Sequence, residues 1–320
     1  MMEGMLAKFL RSPIPEIKRV FKTEDSRFIV SVGLKVSAIS FFINLFIYYF
    51  LFQIMRLNFY FFRAHGSPEL LDQSLFFDSI IGEAVDNLPL LFAYHIFLFF
   101  IGTYVGWLIL HPFRRIGEYC ENVLENPNTI YKVEEFSTYK LLTRFSEFFF
   151  EFLRESRKKG VIVTHSIPPQ FSKIHKPVAD KIFMLHFGLL MVIIGISSAV
   201  FITENSSSVF TSMVELATKT LSNDKTVNRY FSDQMYVLDD VVVMTIMLIA
   251  GSYILLGIHL YAKVSGAAFG IFSTMRAFMK GNYNSRVHLV GYAYIRDYTR
   301  KLNKYLDYIQ NNLAKSESKD

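Results

Sequence analysis

Four long apolar runs, each closed off by charged residues, set the plan of this chain. They fall near Val36–Met55, Leu88–Leu110, Ile182–Thr203 and Val241–Tyr261. As helices, all four are long enough to cross roughly 30 Å of hydrocarbon. Arg56, Asp86 with Arg114, Lys181 with Glu204, and Asp240 with Lys263 mark their limits. After the second and fourth runs the pattern changes from continuously apolar to a narrow stripe. Ala268, Ile271, Met275 and Phe278 alternate spacings of three and four, and so do Ile295, Tyr298, Leu302, Tyr305 and Ile309. The earlier region shows Phe113, Ile116, Cys120 and Val123, then Leu141, Phe145, Phe148 and Phe152. Stripes of this kind bury one seam against partner helices, as in a coiled coil.

The order of elements occurs twice. Sliding the sequence on itself by 154–157 residues brings Lys22 onto Lys176, Asn126 and Asn128 onto Asn282 and Asn284, and Thr143-Arg144 onto Thr299-Arg300. Each copy reads as a basic approach, a span, a short outer loop, a second span and a pair of helices. Two spans per copy keep both copies in the same orientation, unlike the inverted repeats of many transporters.

The second copy carries Gly281, then Arg286-Val287-His288-Leu289, then Leu302-Asn303. This run resembles the connector and second helix of a HAMP domain. In the first copy, His111-Pro112-Phe113-Arg114-Arg115-Ile116 looks like the membrane-exit motif of that family, with Pro112 starting the first helix at the end of the span. The acidic pair of the family pattern is replaced by Ala293-Tyr294, and the first copy has Asn126-Pro127 near the glycine position and Lys132 in its connector. The resemblance implies a four-helix bundle that changes its packing when a transmembrane helix shifts. Pro112, Gly281, Arg286, Val287, Leu289, Leu302 and Asn303 are its structural positions here.

The fold class expected is therefore an all-α membrane protein: four transmembrane helices with cytoplasmic HAMP-like coiled-coil bundles, arising by internal duplication. A basic segment (1–27) precedes transmembrane hairpin 1 (28–110, outer loop 56–86), HAMP-like module 1 (111–155) and a return linker (156–180). Transmembrane hairpin 2 (181–263, outer loop 204–240), HAMP-like module 2 (264–312) and a polar tail (313–320) complete the chain. Extended, the linker's 25 residues reach about 80 Å, so the two copies could pack on each other within one chain. Pairing with a second chain, as a homo-oligomer, is the competing arrangement. Both outer loops are short enough to be helical extensions of the spans.

Charge gives the orientation. Residues 1–27, 111–181 and 262–320 hold six, twelve and ten Lys and Arg, against two and three in loops 56–86 and 204–240. By the positive-inside rule both termini and the middle segment are cytoplasmic. The net charge of +6 is accounted for by this anchoring, and no nucleic-acid motif accompanies it. Residues 5–22 suit a basic amphipathic helix at the interface, interrupted at Pro13 and Pro15, or a solvated basic tail. No cleaved signal peptide is expected. With 52% hydrophobic residues and 33 Phe the chain is too apolar for an ordinary soluble domain.

Candidate chemistry is sparse. Cys120, the single cysteine, excludes an internal disulfide framework and a Cys-based zinc site, and reads as a core residue. His111, His186 and His259 fall near the inner ends of three spans, where interfacial placement outweighs haem ligation. His95 lies too far out to join them. Lys35 is placed to snorkel, Tyr104 and Trp107 to sit in an aromatic belt, and Gly102-x-x-x-Gly106, with Gly195 and Ala199, to mark close helix contacts. Asp239-Asp240 are expected to cap the outer end of the last span, and the sequon Asn205-Ser206-Ser207 carries no weight in a bacterial protein. No catalytic, cofactor or metal site is expected. Eleven residues follow Ile309, with no output domain among them. The expectation is a non-enzymatic signal-relay or regulatory protein of a bacterial inner (cytoplasmic) membrane, with output through another membrane or cytoplasmic signalling protein. The alternative is a structural subunit of a multi-protein membrane machine.

Overall fold

The computed structural model describes residues 23–65, 82, 85–131, 140–162, 167–172, 181–220 and 225–317. Every described element is helical: α1 Glu24–His65, α2 Leu88–Glu125, α3 Lys140–Lys159, α4 Pro169–Ser172, α5 Lys181–Thr220, α6 Lys225–Met279, a 3₁₀ turn Ala293–Ile295 and α7 Arg296–Glu317. Four of them, α1, α2, α5 and α6, are long and apolar enough to cross a membrane. The predicted spans all lie inside these helices, and the helices run on beyond them: α1 to His65, α5 to Thr220, and α6 back to Lys225. Both outer loops are thus helical extensions over their described parts. The amphipathic reading of residues 5–22 lies outside the described residues, as does Lys132.

The chain divides into two compact units. The span unit comprises Gly33–Gly102 and Leu189–Gly257, and the bundle unit comprises Met1–Val32, Thr103–Gly188 and Ile258–Asp320. In the span unit the exposed surface is as apolar as the interior. Phe42, Phe46, Phe92, Phe100, Ile196 and Leu255 are all exposed, which suits a hydrocarbon surround rather than water. Several polar groups are turned inward and bonded to neighbouring helices there. Tyr253 donates to the Val36 carbonyl at 3.0 Å, Tyr94 donates to Ser198 Oγ at 2.9 Å, and Ser37 donates to the His95 carbonyl at 3.0 Å. Gln234 bonds Asn58, and Asn205 bonds Tyr48, so the sequon asparagine is engaged by a neighbouring helix. Such bonds each add a modest amount to helix association in lipid. Gly102 permits the closest approach, since a Cβ there would lie 2.8 Å from the Gly33 Cα.

In the bundle unit the heptad stripes form the core. All nine second-copy positions named above are buried, as are Phe113, Ile116, Cys120 and Val123. The register of α3 needs a correction. Its buried line is Leu142, Phe145, Phe149, Phe152 and Ser156, while Phe148 is only half-buried. Phe148 faces Phe171 of α4, with ring centroids 6.0 Å apart. The side chain of Leu141 lies outside the described set.

Three further expectations are corrected. Asp239 and Asp240 lie well inside α6 and cap no helix end. Pro112 sits within α2 and starts no helix; the missing N–H interrupts one bond of the ladder and the helix continues. The linker is more than a spacer: α3 extends to Lys159, and Phe171 of α4 is buried against Phe145 at 5.3 Å.

Candidate functional site

Six of the seven positions singled out in the sequence meet at one place, the connector between α6 and α7. Helix α6 ends in a Schellman motif. Gly281 takes φ +94°, its N–H donates to the Phe278 carbonyl at 3.1 Å, and the Asn282 N–H reaches back to Ala277 O at 3.0 Å. A left-handed residue is required at that point, and glycine adopts it without steric penalty. Helix α2 stops differently. Asn126-Pro127-Asn128-Thr129 forms a turn closed by the Thr129 N–H to Asn126 O bond at 3.0 Å, with proline at the position that suits its fixed φ.

Arg286 then fastens the connector to α7. Its Nε donates to Asp307 at 2.8 Å, Nη2 donates to Gln310, and Nη1 donates to the Tyr283 and Ser285 carbonyls at 2.7 and 2.8 Å. Asn303 completes the attachment. Its Oδ1 accepts from the Val287 N–H at 2.8 Å while its Nδ2 donates to the Val287 carbonyl at 3.0 Å, so one side-chain amide replaces a strand neighbour for an extended segment. Val287 and Leu302 are buried beside it. Leu289 reaches α6, where a Cβ on Gly270 would come within 2.5 Å of its Cδ2. The structure thus brings Gly281, Arg286, Val287, Leu289, Leu302 and Asn303 to the α6–α7 connection, and leaves Pro112 apart from it on α2.

Contacts between the α2–α3 and α6–α7 helix pairs are mainly aromatic. Phe145 of α3 meets Phe272 of α6 with centroids 4.1 Å apart, and Phe149 meets Phe278 at 6.3 Å. Tyr305 of α7 lies 6.2 Å from Phe150 and 6.4 Å from Tyr119. Helices α2 and α7 touch most closely at Gly117, where a Cβ would be 2.9 Å from Tyr298 Cδ1 and 3.1 Å from its Cα. Lys301 pairs with Glu121 across the same interface at 2.9 Å, which holds the Lys301 ammonium above its ordinary pKa.

One cluster had no signal in the sequence. Asp25 at the start of α1 accepts from Tyr298 OH at 2.7 Å and from Arg114 Nη2 at 3.1 Å, and Arg114 Nε donates to the same phenol at 3.3 Å. Burial, joined by the bond to Asp25, pushes the Tyr298 phenol up to about 12, so it keeps the proton it donates. Glu24 pairs with Arg296 at 3.4 Å, and Phe28 stacks on Tyr294 at 4.3 Å. Carboxylates of α1 thus reach the start of α7, and Tyr294 serves as a stacking surface for Phe28. These residues lie some 270 positions apart, beyond any local pattern.

The histidines whose side chains are described sit in separate surroundings. His95 donates or accepts through Nδ1 to Leu91 O at 2.7 Å on its own helix, and His111 packs on Trp107 at 4.7 Å, which in turn stacks on Tyr104. The side chain of His186 lies outside the described set. Among the described residues no three or more His, Cys, Asp or Glu gather as metal ligands would. Comparison with protein-family models, with curated proteins and with solved structures finds no match for this chain.

Proposed function

We propose that this chain is a non-enzymatic transmembrane signal relay, a multi-pass protein of a bacterial inner membrane with both termini cytoplasmic. In this reading its two HAMP-like modules pack on each other as one pseudo-dimeric bundle, and a partner protein carries the output. The observation that carries the proposal is the aromatic interface between the copies, Phe145 with Phe272 and Tyr305 with Tyr119 and Phe150. It is built from α2, α3, α6 and α7, of which α2 and α6 are also long apolar helices. A shift of either helix along or about its axis must re-seat those rings, and packed interfaces of this kind have discrete arrangements rather than a continuum. The distribution of Lys and Arg supports the orientation.

A rigid structural subunit is the second reading, favoured by the way Arg286 and Asn303 bind the connector to α7. Spin labels at Glu147→Cys and Lys304→Cys, both exposed sites on α3 and α7, separate the two. Cys120 is fully buried and stays unlabelled. In nanodiscs of two hydrocarbon thicknesses, which perturb the tilt of the spans, a relay gives two distance populations whose weights change. One unchanged distance would sink the relay and leave the spacer.

A further inference from the structure

A cavity of about 550 Å³ lies in the bundle unit where the first-copy turn meets the ends of α3 and α7. Its walls include Arg154, Arg157 and Lys158 of α3, Asn128 of the turn, and Tyr308 and Asn312 of α7. No carboxylate lines it among the described residues. A second cavity of the same unit shows what balanced charge looks like. There Arg114, Arg296, Arg300 and Lys301 are matched by Glu24, Asp25, Glu118 and Asp297. The three cations of the first cavity are answered only in part, because Glu151 pairs with Arg154 from outside it.

Arg157 is the informative residue. Its Nε and Nη1 are buried and have no hydrogen-bond acceptor among the described residues, and the Nε of Arg154 is in the same position. The guanidinium lies 5.9 Å above the Tyr305 ring, which fixes its plane by a cation–π contact. Buried charged donors without acceptors are costly, and a guanidinium matches phosphate oxygens two at a time when Nη2 donates together with Nε or with Nη1. The volume falls in the range of small-molecule sites, and the Tyr308 ring with the Asn128 and Asn312 amides supplies the surface and polar edges that a heterocycle needs.

We infer that this cavity binds a phosphate-bearing small molecule of nucleotide size, its phosphate on Arg157 and Lys158 and its ring against Tyr308. Pro127, on the cavity wall, follows the end of α2, about 22 Å along that helix from Leu110 at 1.5 Å per residue. That distance favours a soluble phosphate compound over a lipid headgroup. The inference is independent of the relay reading, since a rigid subunit with this cavity would bind the same ligand.

The test uses the full chain in phosphatidylcholine nanodiscs, with ATP, GTP and inorganic pyrophosphate titrated calorimetrically. The expected result is binding of at least one nucleotide, weakened about tenfold or more by Arg157→Gln and also weakened by the exposed Lys158→Gln, as loss of a charge-assisted bond predicts. Tyr308→Ala should weaken the nucleotide and leave pyrophosphate unchanged. Lys158→Gln keeps the test valid where Arg157→Gln fails to fold. Absence of binding by all three probes, or binding indifferent to Lys158→Gln and Tyr308→Ala, overturns the inference. Loss of nucleotide binding on adding phosphatidylglycerol to the nanodiscs overturns it too, by giving the site to a lipid.

Discussion

Substituting Gly117 by alanine tests the packing of α2 on α7 more directly than any truncation. In a helix interior that change ordinarily stabilises by about 1 kcal/mol, because alanine loses less backbone freedom. At Gly117 the added methyl would stand 2.9 Å from Tyr298 Cδ1, 3.1 Å from its Cβ and 3.1 Å from its Cα. The ring could rotate away, but the Cα belongs to the backbone of α7 and moves only if the helix moves. Overpacking of this sort costs about 1–3 kcal/mol. The net change at Gly117 is therefore a destabilisation of about 0–2 kcal/mol, the excess of overpacking over the propensity gain. Gly251 on α6 is the control: a Cβ there meets nothing within 4 Å, so Gly251→Ala should show the propensity gain alone. Cys120, buried in the bundle core three residues from Gly117, provides the assay, since a thiol-reactive fluorogenic dye reports when the bundle opens on heating. Gly117→Ala should open at a lower temperature than the parent, and Gly251→Ala at the same or a higher one. Equal opening temperatures for the two variants would refute the close approach of α2 and α7.

Asn303→Ala should cost about 1–3 kcal/mol, because both the N–H and the carbonyl of Val287 lose their partner; the same dye assay reads it. Gly281→Ala places a side chain at φ +94° and should cost about 1–2 kcal/mol, while glycine in place of Asn126, which ends its helix by another device, should cost little; thermal unfolding compares the two. Phe145→Ala, at a fully buried ring facing Phe272, should cost about 3–5 kcal/mol, visible as a dye-reactive bundle near ambient temperature. Tyr298 titrates near 12 in the fold against 10.0 for the free phenol, so its contribution is complete below pH 10 and is lost as the pH rises through about 12. Tyr298→Phe should accordingly flatten part of the stability loss over that window in an unfolding series against pH.

Periodicity made much of the architecture legible. The four apolar runs fall inside four long helices, and all twelve stripe positions on α2, α6 and α7 are side chains of the bundle core, with Ile295 on the 3₁₀ turn joining them. The error in α3 has a physical origin. Phe148, Phe149, Phe150 and Phe152 crowd one another, and in a segment apolar on several faces spacing cannot decide which ring points inward; a contact with Phe171 of the linker draws Phe148 aside. The connector was legible because its bonds are local, with Arg286 and Asn303 lying within 24 residues of their partners. The Asp25–Arg114–Tyr298 cluster was not. It joins the first, second and last long helices, and each residue alone reads as an ordinary interfacial charge or core aromatic. The orphaned guanidinium of Arg157 was equally hidden, since a run such as Arg-Lys-Lys reads as a solvated face until the burial of its donors is known.

Because the rings of α3 and those of α6 and α7 belong to one polypeptide, their meeting is independent of dilution. A bundle assembled from separate chains can exchange subunits and be poisoned by a defective copy. Here the ratio of the two halves is fixed at synthesis, and a damaged half stays with its own partner. Each half is also free to change alone. That freedom is already visible where one copy turns its chain on Gly281 and the other on Asn126-Pro127. A bundle with two unlike halves has a front and a back, so a protein docking at its end would meet one distinct face and would need no second copy of itself.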